Sequence, residues 1–430
     1  MIERPPKYQS QSIASQVHSD GALSSLISKI NDDYDYWTKV KYLQCPPGFT
    51  HEQLWGAVKQ AREGSAIHLH APVDLSFSLT NRMLRLCHEF DMNFGGSWGN
   101  DAVLNDANQH YYLISSIMEE AIFSSQMEGA ATTRRVAKDM LRKNLSPRDK
   151  SQQMIVNNYQ TINFIIEHMR EPLTVDLLLQ VHRLMTEKTL QHQGDAGTFR
   201  HNNDVVVENG ITHEVVHTPP SFDLIPDYIS KLCNFFNAHD NQPFIHPIIR
   251  GIIIHFVISW VHPFVDGNGR TARALFYWYM LRNGYWITQY MSISRVIAKS
   301  KKSYEKAFLY TELDDMDLGY FITYNLQVLN QSFQQLQHYI QKKQQEQQAA
   351  FSLLRLHNVN ARQAQIIQFF LQNPKEVLTI KELQNRFSVS PTTAKTDVNG
   401  LLQQGILSEI SFNKVKKGYV KGRNFDDIIN

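Results

Sequence analysis

The chain is poor in the residues that would staple it covalently or anchor it in lipid. Its 430 residues hold three cysteines, Cys45, Cys87 and Cys233, far apart and without a CxxC spacing, which excludes a disulfide framework and a cysteine-rich zinc site. Long apolar runs are missing too. The longest, Ile248 to Val261, is interrupted by Arg250, Gly251 and His255 and is shorter than a membrane span. Met1-Ile2-Glu3-Arg4-Pro5-Pro6 lacks the apolar stretch of a secretory leader. His68 and His70 have no third ligand close in sequence, so they read as strand or surface positions. With 42% hydrophobic and 20% charged residues, the composition is that of an ordinary soluble protein, long enough for two or more domains. The cytoplasm is the expected compartment, with no membrane as partner.

What the chain does have is concentrated in twelve residues, His262-Pro263-Phe264-Val265-Asp266-Gly267-Asn268-Gly269-Arg270-Thr271-Ala272-Arg273. The Gly267-Asn268-Gly269 run lets the backbone turn through positive φ and aim successive N–H groups at one point. The residues that follow, 270–282, read as a helix, so the turn falls at a helix N-terminus that attracts anions. Arg270 and Arg273 add two donor forks for phosphate oxygens. Asp266 is a hard oxygen ligand suited to Mg²⁺ bridging phosphates, and His262 is placed to take a proton from an attacking hydroxyl. Any one of these features has a bland reading as a turn or a core histidine. A turn alone, however, needs no preceding His and Asp and no pair of helical arginines.

This segment resembles the signature of Fic (Fido-fold) proteins, His-x-Phe-x-Asp/Glu-Gly-Asn-Gly-Arg-x-x-Arg, at every specified position. The resemblance implies a mainly helical fold and transfer of AMP from ATP to a Ser, Thr or Tyr hydroxyl of a target protein. It makes His262 the general base and Asp266 the Mg²⁺ ligand. Gly267, Asn268, Gly269 and Arg270 would cradle the α- and β-phosphates, and Arg273 the γ-phosphate. Upstream, Ser124-Ser125-Gln126-Met127-Glu128-Gly129 closes a helical stretch over 108–129, with Gly129 as its stop. It resembles the inhibitory helix of self-restrained Fic proteins: Ser124 and Glu128 would engage Arg273 and occupy the γ-phosphate's place. In some relatives the corresponding Glu serves removal of AMP. Between the two elements, Asp204–Glu208 and Glu214–His217 flank Asn209-Gly210, a hairpin signal. The family pattern makes it a flap on which Val205, Val206 and Val207 would hold an extended target segment, bracketed by Gly197-Thr198-Phe199-Arg200 and Thr218-Pro219-Pro220. Tyr304 resembles the tyrosine that lines the nucleotide pocket.

Elsewhere helices are expected over 150–168, over 175–189 capped by Thr174, and after the capping box Thr50-His51-Glu52-Gln53. Residues 1–40 begin polar and partly disordered, and 60–105 is mixed. Residues 331–350 contain nine glutamines, yet Phe333, Leu336 and Ile340 keep helical spacing, so a continuous helix is expected. Residues 361–423 read as a winged helix-turn-helix: helices from Arg362, Thr379 and Pro391, then a wing over Ser411–Arg423 with five basic residues, Lys414 and Lys416 among them, and no acid. Thr392, Thr393 and Lys395 are its candidate DNA contacts. From Lys375 onward the net charge is +3, a modest field for duplex DNA, so docking or dimerisation stays open as the domain's role, as does a homodimer. The expected fold is thus mainly α: an N-terminal region (1–105), a Fic core with inhibitory helix and β-hairpin flap (106–330), a Gln-rich helical linker (331–360) and a C-terminal winged helix (361–430). Three functional readings remain at this point: an AMP transferase restrained by Glu128, an AMP-removing hydrolase using Glu128, and a DNA-binding regulator with a nucleotide-sensing core. His262 favours an enzyme, because a phosphate sensor has no need of a base there.

Overall fold

Helical periodicity carries through almost the whole chain, and β-structure among the described residues amounts to three two-stranded antiparallel pairs and two isolated bridges, Ser76↔Asp317 and Leu378↔Tyr419. The computed structural model describes residues 2–7, 21–94, 106–208, 214–238, 243–353, 359–412, 417–423 and 425–426. The N-terminal part comprises helices α1 (Gly21–Asp33), α2 (His51–Glu63) and α3 (Asn81–Phe94), with the strand pair β1 (Ala66–Leu69) and β2 (Leu75–Ser78) before α3. Then come α4 (Asp106–Met127), α5 (Arg134–Lys143), α6 (Lys150–Glu167) and α7 (Val175–Thr186). The pair β3 (Val207–Glu208) and β4 (Val215–His217) leads to α8 (Ile225–Asn237), α9 (Pro247–Val261), α10 (Asn268–Arg282), α11 (Ile293–Lys299), α12 (Lys301–Leu313) and α13 (Gly319–Leu353). The C-terminal unit is α14 (Ala361–Gln372), α15 (Ile380–Phe387) and α16 (Pro391–Gln403), closed by β5 (Leu407–Ser411) and β6 (Lys417–Lys421).

Local chemistry explains most boundaries. Thr50 and Gln53 form the expected reciprocal cap of α2, and Thr174 accepts the Leu177 N–H at the start of α7. Helix α7 stops at Thr186, short of the expected 189. Lys188 adopts a φ of 58°, and the Asn157 side chain takes the carbonyls of Met185 and Glu187. In the segment read as mixed, His68 lies in β1, and His70 pairs with Asp74 at 3.0 Å in solvent. Helix α1 falls in the stretch read as polar. Its Leu23, Ile27 and Ile30 form one buried row, while residues 1 and 8–20 lie outside the described residues.

Helix α9 is buried on nearly every side, as an all-round apolar helix must be, and α10 packs along it. These two centre a single apolar core that runs from Leu23 to Ile340. The Gln-rich stretch is a continuous helix, as expected, because Phe333, Leu336 and Ile340 of α13 join that core. A second core, including Ile367, Phe370, Leu383 and Val398, belongs to the winged helix. There β5 and β6 pair from Leu407↔Lys421 to Ser411↔Lys417; Lys414 and Lys416 lie outside the described residues. No described helix is long and apolar enough to cross a membrane.

Candidate active site

The loop between α9 and α10 is fastened from within. His262 ends α9 with a φ of 49°, which turns the chain out of the helix. Gly267 caps α10 with a φ of 85°, where a Cβ would meet the Thr186 methyl at 2.9 Å. Asn268 and Gly269 are already helical, so Gly267 alone of the Gly-Asn-Gly run has positive φ. The Asn268 side chain accepts from Phe264 N–H (2.9 Å) and donates to Phe264 C=O (2.8 Å). It therefore clamps the loop and leaves only its backbone N–H to face an anion. Gly269 is glycine because a Cβ there would lie 2.3 Å from Glu128 Oε1.

The His262 ring is oriented by a main-chain carbonyl. His262 Nδ1 lies 3.1 Å from Ser259 C=O, and since a carbonyl only accepts, Nδ1 carries the proton and Nε2 is left as a free base. Burial lowers the ring's proton affinity below its ordinary value. Asp266 is partly exposed beside it, accepting the Gly267 N–H at 2.5 Å and lying 3.5 Å from Arg270 Nη2. Arg270 is fully buried and donates Nη1 to Met185 C=O at 3.1 Å, while its Nε and Nη2 have no hydrogen-bond partner. Orphaned guanidinium donors at a helix N-terminus fit phosphate oxygens. The carboxylate of Asp266 fits a Mg²⁺ held mainly by phosphate and water, since that ion seldom relies on an all-protein cage. Among the described residues no group of three or more His, Cys, Asp or Glu side chains is placed to hold a metal ion by itself.

Glu128 closes the site from the opposite side. Arg273 donates Nε to Ser124 Oγ (2.9 Å) and Nη2 to Ser124 C=O (3.1 Å) and Glu128 Oε1 (2.9 Å). Burial opposes the charge on Glu128, but the Arg273 guanidinium outweighs it and holds the carboxyl below its ordinary range. Gly129, with a φ of 95°, turns the chain away just past α4. A cavity of about 210 Å³ opens here, lined by Glu128, His262, Arg273, Tyr304, Val207 and Phe308 among others. The Tyr304 hydroxyl is held by His255 Nε2 at 2.9 Å.

The flap is shorter than the sequence reading. The expected strand over 204–208 reduces to Val207–Glu208, with a register irregularity between those two residues. Val205 and Val206 lie outside the ladder, and of the three valines only Val207 lines the cavity. Just ahead of it Arg200 donates to Asn202 C=O and Asn203 Oδ1. Asn209 and Gly210 lie outside the described residues. Arg200 also donates to the carbonyls of His262 (2.9 Å) and Pro220, joining both legs of the flap to the base. Two further histidines escaped the sequence reading. His182 stacks on Phe264 at 3.7 Å, accepts Gly197 N–H at Nδ1 and donates Nε2–H to Asp266 C=O. Burial pushes its pKa down to about 4, so it holds the loop as a neutral ring. His217 bonds Trp260 C=O (2.8 Å) and Glu312 (2.5 Å), pinning β4 to α9 and α12. Only burial on an apolar helix face or in a short strand would have marked either one.

Comparison with known proteins places similar sequence around this loop and at the C-terminal unit. Residues 172–280 match the Fic/DOC family, and residues 362–420 match an HTH domain. The chain is 30% identical over 127 residues to a protein adenylyltransferase Fic of Nematostella vectensis, which is 29% of this chain and 26% of that protein. It is 31% identical over 129 residues to a protein adenylyltransferase Fic of Aedes aegypti, 29% of this chain and 23% of that one. The chain thus spans about a quarter of the length of the curated relatives it matches. A Fic family protein from Desulfovibrio desulfuricans G20 shares the fold, with a TM-score of 0.50 at 16% identity over 81% of this chain and 98% of the other.

Proposed function

We propose that this chain, built around a Fic/DOC family domain, transfers AMP from ATP to a hydroxyl side chain of a target protein and is restrained by its own Glu128. The observation that carries the reading is the meeting of three groups in one cavity: a base with free Nε2, the anion-binding start of α10, and a carboxylate seated on Arg273. In the reaction, the target hydroxyl oxygen attacks the α-phosphorus and its proton passes to His262 Nε2. The bond from the α-phosphorus to the bridging oxygen breaks, and pyrophosphate leaves. The orphaned donors of Arg270 and the N–H groups at the start of α10 hold the phosphates in line, and positioning of this kind supplies most of the rate. Asp266 would hold a Mg²⁺, which would supply charge neutralisation of the phosphates. Tyr304 and Val207 would wall the nucleotide, and the β3 edge would present the target segment. The cytoplasm, with its ATP and Mg²⁺, fits this chemistry.

Glu128 restrains the enzyme by holding the guanidinium that the γ-phosphate needs, and by placing like charge where ATP must sit. Glu128→Gly should raise incorporation of labelled AMP into the protein itself at least about tenfold, the size expected when a charge-assisted contact of about 1.4 kcal/mol or more is freed for the nucleotide. Adding His262→Ala should abolish that label. Mass spectrometry of the labelled protein identifies the adduct as AMP or as another phosphate-bearing group. An unchanged rate in Glu128→Gly overturns the restraint, and labelling without His262 overturns the base.

A further inference from the structure

Glu128 lies just beyond the C-terminal end of α4, at the turn of a hairpin that α5 completes. The two helices are welded along their length. Arg134 donates Nε to Glu119 (2.8 Å), while Lys138 Nζ reaches Glu119 (3.0 Å) and Ser115 Oγ (3.4 Å). Ile122, Ala130, Ala137 and Met140 form a shared cluster with Met154 and Ile155 of α6. These pairings run α5 antiparallel to α4, so the far end of α5, at Arg142 and Lys143, lies on the order of 20 Å from Glu128 at 1.5 Å per residue.

The winged helix is docked on that far end. Helix α15 packs against both α4 and α5. Glu382 of α15 is 5% exposed in its side chain and forms an ion pair with Arg142. Its other oxygen accepts from Thr379 N–H (2.8 Å) and Oγ1–H (2.9 Å) as the cap of α15. One carboxylate therefore both starts the helix and fixes it to the hairpin. Lys143 sits 5.9 Å from the centre of the Phe412 ring at the wing. Along the approach to this unit, Tyr112 of α4 meets Tyr339 of α13 edge-on at 5.7 Å. The face of α16 that carries Thr392, Lys395, Thr396 and Asn399 stays exposed, so docking uses the second helix and the wing and leaves the third helix free.

We infer that the winged helix is an intramolecular clamp on the restraining hairpin, and that its docking through Arg142–Glu382 and Lys143–Phe412 keeps Glu128 seated on Arg273. The inference rests on the reading of Glu128 as a restraint. A rigid hairpin held at one end by the winged helix and at the other by Arg273 has two contacts that favour the same position. Binding linkage then runs both ways: undocking eases ATP entry, and ATP entry weakens docking.

The test uses the full chain with labelled ATP and Mg²⁺, in four forms: unaltered, Arg142→Ala, Glu128→Gly and both together. Arg142 is partly exposed, and a thermal melt confirms that its variant folds. Arg142→Ala is expected to raise self-labelling about fivefold, the lower range of measured site-to-site couplings. In the Glu128→Gly background the same change should leave the rate unaltered, because the restraint it acts through is gone. Amides of residues 380–387 should exchange faster in Arg142→Ala, and also in the unaltered chain on adding a non-hydrolysable ATP analogue. Phe412→Ala repeats the test from the wing. If Glu128→Gly labels strongly while Arg142→Ala stays at the unaltered rate, the clamp is overturned and the restraint stands. An equal rise from Arg142→Ala in both backgrounds also overturns it. No gain from Glu128→Gly overturns the underlying restraint instead.

Discussion

At the scale of single residues, the protonation state of His262 decides what the site can do and at which pH. Its Nδ1 proton is committed to Ser259 C=O, so only a ring with Nε2 unprotonated is a base. Burial pulls its pKa below the ordinary value of 6.5, and the carboxylate of Glu128 pulls in the opposite direction. In the proposed reaction the acid limb is therefore centred below that ordinary value. Removing Glu128 takes away an influence that favours the proton and moves the limb lower still. The kcat/KM of Glu128→Gly should accordingly fall in acid with a midpoint below about 6.5, as free-enzyme ionisations set that limb. A limb centred above pH 7 would show that another group is the base. His182 is a second case of a histidine used for its neutral form: a proton on Nδ1 would remove the acceptor of the Gly197 N–H, while Nε2–H would go on serving the carbonyl of Asp266.

At the scale of elements, the loop and the two helices it joins act as one part because Asn268 stitches the loop to the start of α10. Asn268→Ala would leave the buried N–H and C=O of Phe264 unpaired, a loss of about 2–4 kcal/mol. Urea unfolding of that variant should begin at a lower midpoint. Labelling in the Glu128→Gly background should fall more than about tenfold, since small misplacement of a positioned group is costly. Asn268→Asp keeps the acceptor and should lie between. Normal labelling in Asn268→Ala would mean that the loop is set by its flanking helices alone. The same loop shows what the sequence disclosed and why. Residue types and spacing over 262–273 sufficed to read a base, an anion cradle and a helix start, because each is a local consequence of backbone and side-chain chemistry. The partition of labour within it was not legible: Asn268 reads as part of the anion cradle although its side chain clamps Phe264 only four residues away, and the room that Gly269 makes for Glu128 depends on a segment more than a hundred residues away. The flap fell short as well, since its ladder loses register between Val207 and Glu208, which β-branched runs alone do not signal. Helix caps at Thr50 and Thr174 were local and came out as read.

At the scale of the whole molecule, the two largest apolar cores are separate, and the unit around the smaller one meets the rest through α15 on α4 and α5, with the Arg142–Glu382 ion pair, and through α13. The larger core takes in residues from Leu23 to Ile340, so the N-terminal helices and the helices around the active site bury their faces against each other. A polar network reinforces that union. Asp317 accepts from Tyr34 (2.6 Å) and Lys59 (2.9 Å) and lies 3.7 Å from Arg62, while Asp314 takes a second Lys59 contact at 2.8 Å. Arg62 also donates to Asn31, to the Tyr320 hydroxyl and to Asp35 C=O. Breaking one partner of a buried ion network leaves uncompensated charge and costs about 3–5 kcal/mol. The winged helix has its own core and joins the rest through the Arg142–Glu382 region and the long helix α13. Calorimetry of the full chain should therefore show two transitions, a large one for residues 21–340 and a small one for the winged helix. Asp317→Asn should lower the temperature of the large transition and leave the small one in place, because no residue of its network touches the C-terminal core. Arg142→Ala should do the reverse and lower the small transition alone. If Asp317→Asn instead split the large transition in two, the N-terminal helices would be a separate cooperative unit, and the network would be a tether between units.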